Sequence, residues 1–215
     1  MIKLISFILL SFLFLDTFSQ NVLMRTTQGN ITIKLYDDVP LHKENFLDLV
    51  SKSFYDSLLF HRVIKDFMIQ TGDPDSKYAK PGQLLGRGAV NYTVPAEFRK
   101  EFYHKKGAVA AARLSDKMNP EKASSGCQLY IVKGKTYTDN ELDYMENNDL
   151  HIKFTDEQRK IYKSIGGSPH LDYSYTVFGE IIEGFHVLDK ISLSETDRNN
   201  RPLSDIRIIS ISIID

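Results

Sequence analysis

Short runs of alternating apolar and polar residues recur along this chain, and no helix separates each run from the next. Val22 to Tyr36, VLMRTTQGNITIKLY, holds two of them around Gln28-Gly29-Asn30, with Ile31, Ile33 and Leu35 alternating against Thr32, Lys34 and Tyr36. That pattern predicts a hairpin with one buried face. Leu58 to Ile69 reads as two more β runs about a turn at Lys65-Asp66, and QLYIV (128–132), YTVFGEII (175–182) and IRIISISI (206–213) add others. GAVAAA (107–112) is small and apolar, which permits a close backbone approach. The period changes at Pro40 to Ser53, where Phe46, Leu47, Leu49 and Val50 share one side of a predicted helix and Pro40 suits its first turn. Without a strand–helix–strand rhythm, an antiparallel barrel or sandwich is favoured, and periodicity leaves those two open.

The chain has 215 residues, which suits one domain. Its formal net charge of -1 gives no general attraction to nucleic acid or anionic lipid. The N-terminus, MIKLISFILLSFLFLDTFSQ, places a cation at Lys3 ahead of a largely apolar run from Leu4 to Leu15. Thr17 and Ser19 then occupy the small-residue places of a cleavage site before Gln20. This predicts a signal peptide over 1–19 and an exported protein, periplasmic or secreted, without stable membrane insertion after cleavage. The apolar run is short for a bilayer crossing, which takes roughly 20 residues. Cys127 is the only cysteine, so no intrachain disulfide is available, and it reads as a small buried apolar residue. Stability must come from an ordinary core, for which about 195 mature residues suffice.

Residues 72–92, rich in Gly, Pro and Asp, predict a long ordered loop; Gly86-Arg87-Gly88 lacks the setting of a phosphate-binding loop. The histidines show no zinc-ligand spacing, and neither a metal nor a cofactor is implied. Residues 133–169 differ in texture. They are charged and helical in signal, with Thr155 and Gln158 as a capping box ahead of a helix at about 156–165, a stop at Gly166, and a shorter helix near 139–147. This segment reads as an insertion on a β framework with a solvated face.

FHRVIKDFMIQTGD, residues 60–73, carries more polar chemistry than a core hairpin needs. Arg62 sits among Phe60, Val63, Ile64, Phe67 and Met68. A two-residue turn at Lys65-Asp66 would pair Arg62 with Ile69 and send Gln70 to the opposite face. Alternation also points His61 away from Arg62, toward a structural role.

The same stretch resembles the F-H-R-V-I-x-x-F-M-x-Q-x-G-D motif of the cyclophilins, a family of peptidyl-prolyl cis-trans isomerases. PAEF (95–98), GAVAAA (107–112), SSGCQLYI (124–131) and HLDYSYTVFGEIIEG (170–184) resemble further family segments in the expected order. The resemblance covers roughly Val22 to Asp215 apart from the charged insertion. It implies a single domain over 20–215 that is dominated by β-structure: a closed eight-stranded antiparallel barrel with two capping helices. It implies Arg62 as the catalytic residue. It implies Phe67, Met68, Gln70, Ala112, Arg113, Gln128, Tyr130, Leu171 and Tyr175 as substrate-binding residues. The substrates implied are proline-containing polypeptides during folding, handled by a monomer.

The departures are Arg113 for Asn, Tyr130 for Phe, His170 for Trp, Tyr173 for Gly and Tyr175 for His; they bear on substrate preference and on binding of the family's cyclic-peptide inhibitor. The residue types suit the reaction. Twisting an X-Pro bond returns a lone pair to the prolyl nitrogen, and a fixed guanidinium beside it would favour the twisted state. The alternative on the same barrel is a module that holds proline segments without turnover, against which Arg62 argues. A hydrolase is disfavoured, since neither G-x-S-x-G nor a cysteine-protease signature is present. Mass analysis of the mature chain is expected to find Gln20 at its N-terminus; a chain that retains Met1 would overturn the cleavage reading.

Overall fold

The computed structural model describes residues 20–150 and 152–214. The predicted signal segment lies outside them. In chain order the strands are β1 (Asn21–Thr26), β2 (Gly29–Leu35), β3 (Arg62–Ile64), β4 (Met68–Thr71), β5 (Thr93–Val94), β6 (Ala108–Ala111), β7 (Ser124–Ser125), β8 (Leu129–Val132), β9 (Val177–Glu183) and β10 (Ile208–Ile214). The α-helices are α1 (Pro40–Ser51), α2 (Asp139–Tyr144), α3 (Asp156–Ser164) and α4 (Phe185–Ser192). Eight strands form one antiparallel sheet in the order β10-β1-β2-β9-β6-β8-β4-β3, while β5 and β7 pair separately. No helix of the described residues is long and apolar enough to cross a membrane.

The expected closed barrel is corrected to an open ladder with β3 and β10 as its edges. Irregular chain spans the opening. Leu59 and Arg207 form an isolated bridge, and backbone bonds run from Ser57 N to Ile208 O at 2.8 Å and from Phe60 N to Ile206 O at 2.9 Å. The chain ahead of β3 lacks the regular geometry needed to continue the ladder.

Alternation places Ile31, Ile33, Leu35, Val63, Ile69, Val109 and Ile131 on the inner face, in one core with Phe46, Leu49 and Val50 of α1 and Val187, Leu188 and Ile191 of α4. Helix α4 follows β9 directly and has no side-chain N-cap, so its start carries no cap signal of the kind that marked the helix after Thr155. The outer face is buried over part of the sheet as well: Met68, Ala108, Ala110, Tyr130, Val132 and Val177 form a second cluster there.

The 133–169 segment contains α2 and α3, each opened by a capping box, Thr138 with Glu141 and Thr155 with Gln158. A short π-helical turn, Met145–Asp149, extends α2. Asp139, Asp143, Lys153 and Lys163 do form an exposed charged face, but the segment has a buried side as well. Tyr137, Leu142, Phe154 and Tyr162 are buried against each other, and Tyr103 of the framework packs on them. Two of the segment's three buried rings, Tyr137 and Phe154, lie just ahead of the helices and only Tyr162 within one, so no apolar stripe stood out from the charges in the sequence.

The β3–β4 register also differs from the two-residue hairpin. Arg62 pairs with Gln70, Val63 with Ile69 and Ile64 with Met68, so Lys65, Asp66 and Phe67 all lie in the turn. Asp66 takes a left-handed conformation at φ 57°, and Phe67 N donates to Ile64 O at 3.1 Å. One extra turn residue moves the pairing by one and brings Arg62 and Gln70 onto the same face. Asp tolerates this conformation, whereas a β-branched residue does not. Asp66→Val is expected to lower stability by about 1–2 kcal/mol, while Asp66→Gly stays near wild type; urea denaturation midpoints check both.

Candidate active site

The outer face of β3, β4 and β8 forms the floor of a cleft of about 140 Å³. Arg62 and Gln70 face it from paired positions, and Met68 and Tyr130 follow on the same face. Phe67 enters from the turn, Ala112 and Arg113 from the chain after β6, and Leu171 and Tyr175 from the segment before β9. Thus nine of the ten sequence-predicted residues line one cleft. The tenth, Gln128, lines a neighbouring cleft of about 550 Å³ that shares Gln70, Ala112 and Arg113 with the first.

Arg62 Nη1 donates to Gln70 Oε1 at 3.2 Å. Gln70 Nε2 then donates to Gln128 Oε1 at 2.9 Å, and Gln128 Nε2 donates to the carbonyls of Gly88 at 2.8 Å and Gly86 at 3.2 Å. This chain of amides holds the guanidinium with a neutral partner. Burial lowers its pKa from the ordinary arginine value, but a guanidinium stays charged in proteins. Its hydrogen-bonding capacity is therefore not consumed by a carboxylate, and the wall beside it is apolar.

Arg113 is fixed differently. Its Nε donates to Ser174 O at 2.6 Å, its Nη1 lies 2.6 Å from Asp116 Oδ1, and its guanidinium carbon sits 4.4 Å from the Tyr175 ring centroid. With only 3 % of its side chain exposed, it forms a braced partition between the two clefts. Asp116, an exposed carboxylate, is held below the usual carboxylate range, chiefly by its hydrogen bond to Arg113. Tyr175 stands edge-on to Tyr130 with centroids 5.8 Å apart, and His170 lies over Phe67 at 5.4 Å.

Three polar residues behind the cleft were not identified from sequence. His104 Nδ1 and Asp172 Oδ1 are 2.9 Å apart, His104 Nε2 and the Tyr130 hydroxyl are 2.9 Å apart, and Tyr162 donates to Asp172 Oδ2 at 2.6 Å. Single polar residues in different segments leave no periodic signature. Their link exists only through tertiary contact.

Cys127 is buried, and its thiol pKa is raised by burial, consistent with a core position. No group of three or more His, Cys, Asp or Glu side chains that could hold a metal occurs among the described residues.

With the geometry in place, the comparisons decide the family. A sequence model for cyclophilin-type peptidyl-prolyl cis-trans isomerases matches residues 21–213. The chain belongs to that family. A Staphylococcus haemolyticus protein provisionally named a peptidyl-prolyl cis-trans isomerase is 32% identical over 195 residues, covering 90% of this chain and 91% of its own length. A similarly named Staphylococcus aureus protein is 33% identical over 193 residues, covering 89% and 90%. The crystal structure of a Cryptosporidium parvum cyclophilin-type isomerase superposes with a TM-score of 0.68 at 23% identity, covering 92% of this chain and 99% of the other, which shows the shared fold. A second structure, with the dipeptide Ala-Pro present, gives 0.65 at 23% identity, covering 91% and 99%. This cyclophilin is therefore an isomerase of X-Pro bonds.

His61, beside Arg62 in sequence, is only 3 % exposed and has no hydrogen-bond partner at either ring nitrogen among the described residues. Burial lowers its pKa from 6.5 to about 4, opposed in part by Asp73. Between those values the unfolded chain binds more protons than the folded one, so stability falls as pH drops through that window. His42 and His170 are lowered by burial too, so a His61 variant keeps part of the dependence. His61→Leu is expected to reduce the slope of stability between pH 6.5 and 4 by up to about 1.4 kcal/mol per pH unit. Urea unfolding at stepped pH measures it, and identical slopes would refute the assignment.

Proposed function

We propose that this cyclophilin accelerates X-Pro rotation in exported polypeptides, with Arg62 as the catalytic group and the cleft beside it as the proline socket. The observation that carries the assignment is the half-buried Arg62 guanidinium, bonded to a neutral amide and facing an apolar wall in one cleft. Phe67, Met68, Leu171 and the Tyr130 ring supply that wall. Met68 contributes a side chain that adapts its shape to the ring.

The chemistry follows from the bond. Amide resonance sets a barrier of about 18–20 kcal/mol to rotation. At the twisted state the prolyl nitrogen regains its lone pair and becomes a hydrogen-bond acceptor. A guanidinium N–H directed at it stabilises that state more than either planar isomer, which is what lowers the barrier. No proton transfer, nucleophile or metal enters the step. Gln70 keeps the guanidinium oriented, and the shared edge of the second cleft gives the chain on one side of the proline a place to lie. Gln128, Ala112 and Arg113 meet the flanking peptide there.

Export rests on the signal-like N-terminus. Arg62→Ala is expected to lower kcat/KM on an X-Pro peptide by roughly 10²–10³, the effect of removing one preorganised transition-state donor. Arg62→Lys keeps a charge but loses the planar fork, and should recover little of that loss. NMR exchange on the peptide measures both, and an Arg62→Ala protein as fast as wild type would sink the catalytic assignment.

A further inference from the structure

Tyr130 stands where the family usually has a phenylalanine, so its hydroxyl is an additional polar group at the wall of an apolar socket. Left without a partner it would cost free energy or draw water into the socket. The structure turns it backward instead. His104 Nδ1 lies 2.9 Å from Asp172 Oδ1, and His104 Nε2 lies 2.9 Å from the Tyr130 hydroxyl, which so finds its hydrogen-bond partner behind the socket. The rings of His104 and Tyr130 lie 14° from parallel, with centroids 6.0 Å apart.

Asp172 is held by three contacts. Its Oδ1 accepts the His104 backbone N–H at 2.8 Å and lies beside the ring Nδ1, and its Oδ2 accepts the Tyr162 hydroxyl at 2.6 Å. Both His104 and Asp172 have side chains only 1 % exposed. Tyr162 belongs to α3, within the charged segment, and its ring is edge-packed against Tyr103, Tyr137 and Phe154. The fold keeps this approach close. A Cβ at Gly167 would meet His104 O at 2.3 Å and Tyr162 Cε1 at 2.7 Å, so only glycine fits between them. Burial holds both tyrosines neutral, and each therefore keeps a proton to donate.

We propose that the 133–169 segment sets the wall of the proline socket through a buried relay, Tyr162 to Asp172 to His104 to Tyr130, in which Tyr162, Asp172 and His104 are positioning residues. This rests on the socket assignment made above. Tyr162 fixes the carboxylate, the carboxylate fixes the ring and tautomer of His104, and His104 holds the Tyr130 hydroxyl out of the socket. The aromatic face that remains contacts the proline in its planar and twisted states alike. Its displacement should therefore weaken binding and act on KM more than on kcat.

Tyr162→Phe tests the relay, because it removes the first donor and keeps the packed ring. It is expected to raise KM for an X-Pro peptide about three- to tenfold, the scale of one lost hydrogen bond, with kcat within about twofold. In a Tyr130→Phe background no hydroxyl needs an acceptor, and adding Tyr162→Phe should change KM no further. Selective ¹³Cζ-tyrosine labelling gives a readout that needs no turnover: the Tyr130 resonance should shift in Tyr162→Phe. An unmoved Tyr130 resonance, or the same rise in KM with and without the Tyr130 hydroxyl, overturns the relay. A wild-type protein that fails to accelerate exchange would overturn the socket assignment instead, and the Tyr130 resonance would still decide the relay.

Discussion

The cross-strand pairing of Arg62 with Gln70 is the contact on which the site depends. Strands alternate faces with a period of two, so a shift of one residue would send one of the pair into the core. The three-residue turn, with Asp66 left-handed, prevents that shift. Both side chains then face outward, where the Gln70 amide can meet the guanidinium and pass its own N–H to Gln128. A neutral amide in this place keeps the cation oriented without neutralising it. A carboxylate would hold it more tightly and take up its donors.

The second constraint is that the sheet is buried on both faces where β4, β8 and β6 run side by side. Val109, Ala111 and Ile131 fill the interior, while Met68, Ala110 and Tyr130 meet an outer layer made by Phe67, Leu171 and Tyr175. The small side chains of β6 matter here, because they leave room on the outer face between larger neighbours. The cleft is a gap in this outer layer, set partly over β4 and β8, whose four residue pairs run without a register shift.

Much of this was legible in the sequence. Alternation at Ile31, Ile33 and Leu35 marked the buried face correctly, and the Thr155–Gln158 box marked the start of α3. The cleft residues were legible only through the ordered motifs, since no periodicity joins Arg62 to Leu171. The turn was misread because Asp66 gives no more signal for a three-residue loop than for a two-residue one. Helix α4 follows β9 without a side-chain cap, and His104, Asp172 and Tyr162 are isolated polar residues whose meaning appears only when distant segments meet. The aromatic core of the insertion was hidden by the charges around it, which pair among themselves, as Arg159 does with Asp139, Asp143 and Glu146.

The open side of the sheet carries a dynamic consequence. Between β3 and β10 the chain is joined by scattered bonds, among them Val63 N to Asn200 O and Ile208 N to Leu58 O, in place of a continuous ladder. Amide hydrogens along such a seam exchange with solvent through smaller openings than those in the middle of a sheet. Arg62 is carried by the strand on that seam, while Tyr130 is carried by β8, between β6 and β4. Arg62 thus rides on the more yielding border of the molecule, and Tyr130 on a strand paired along both sides.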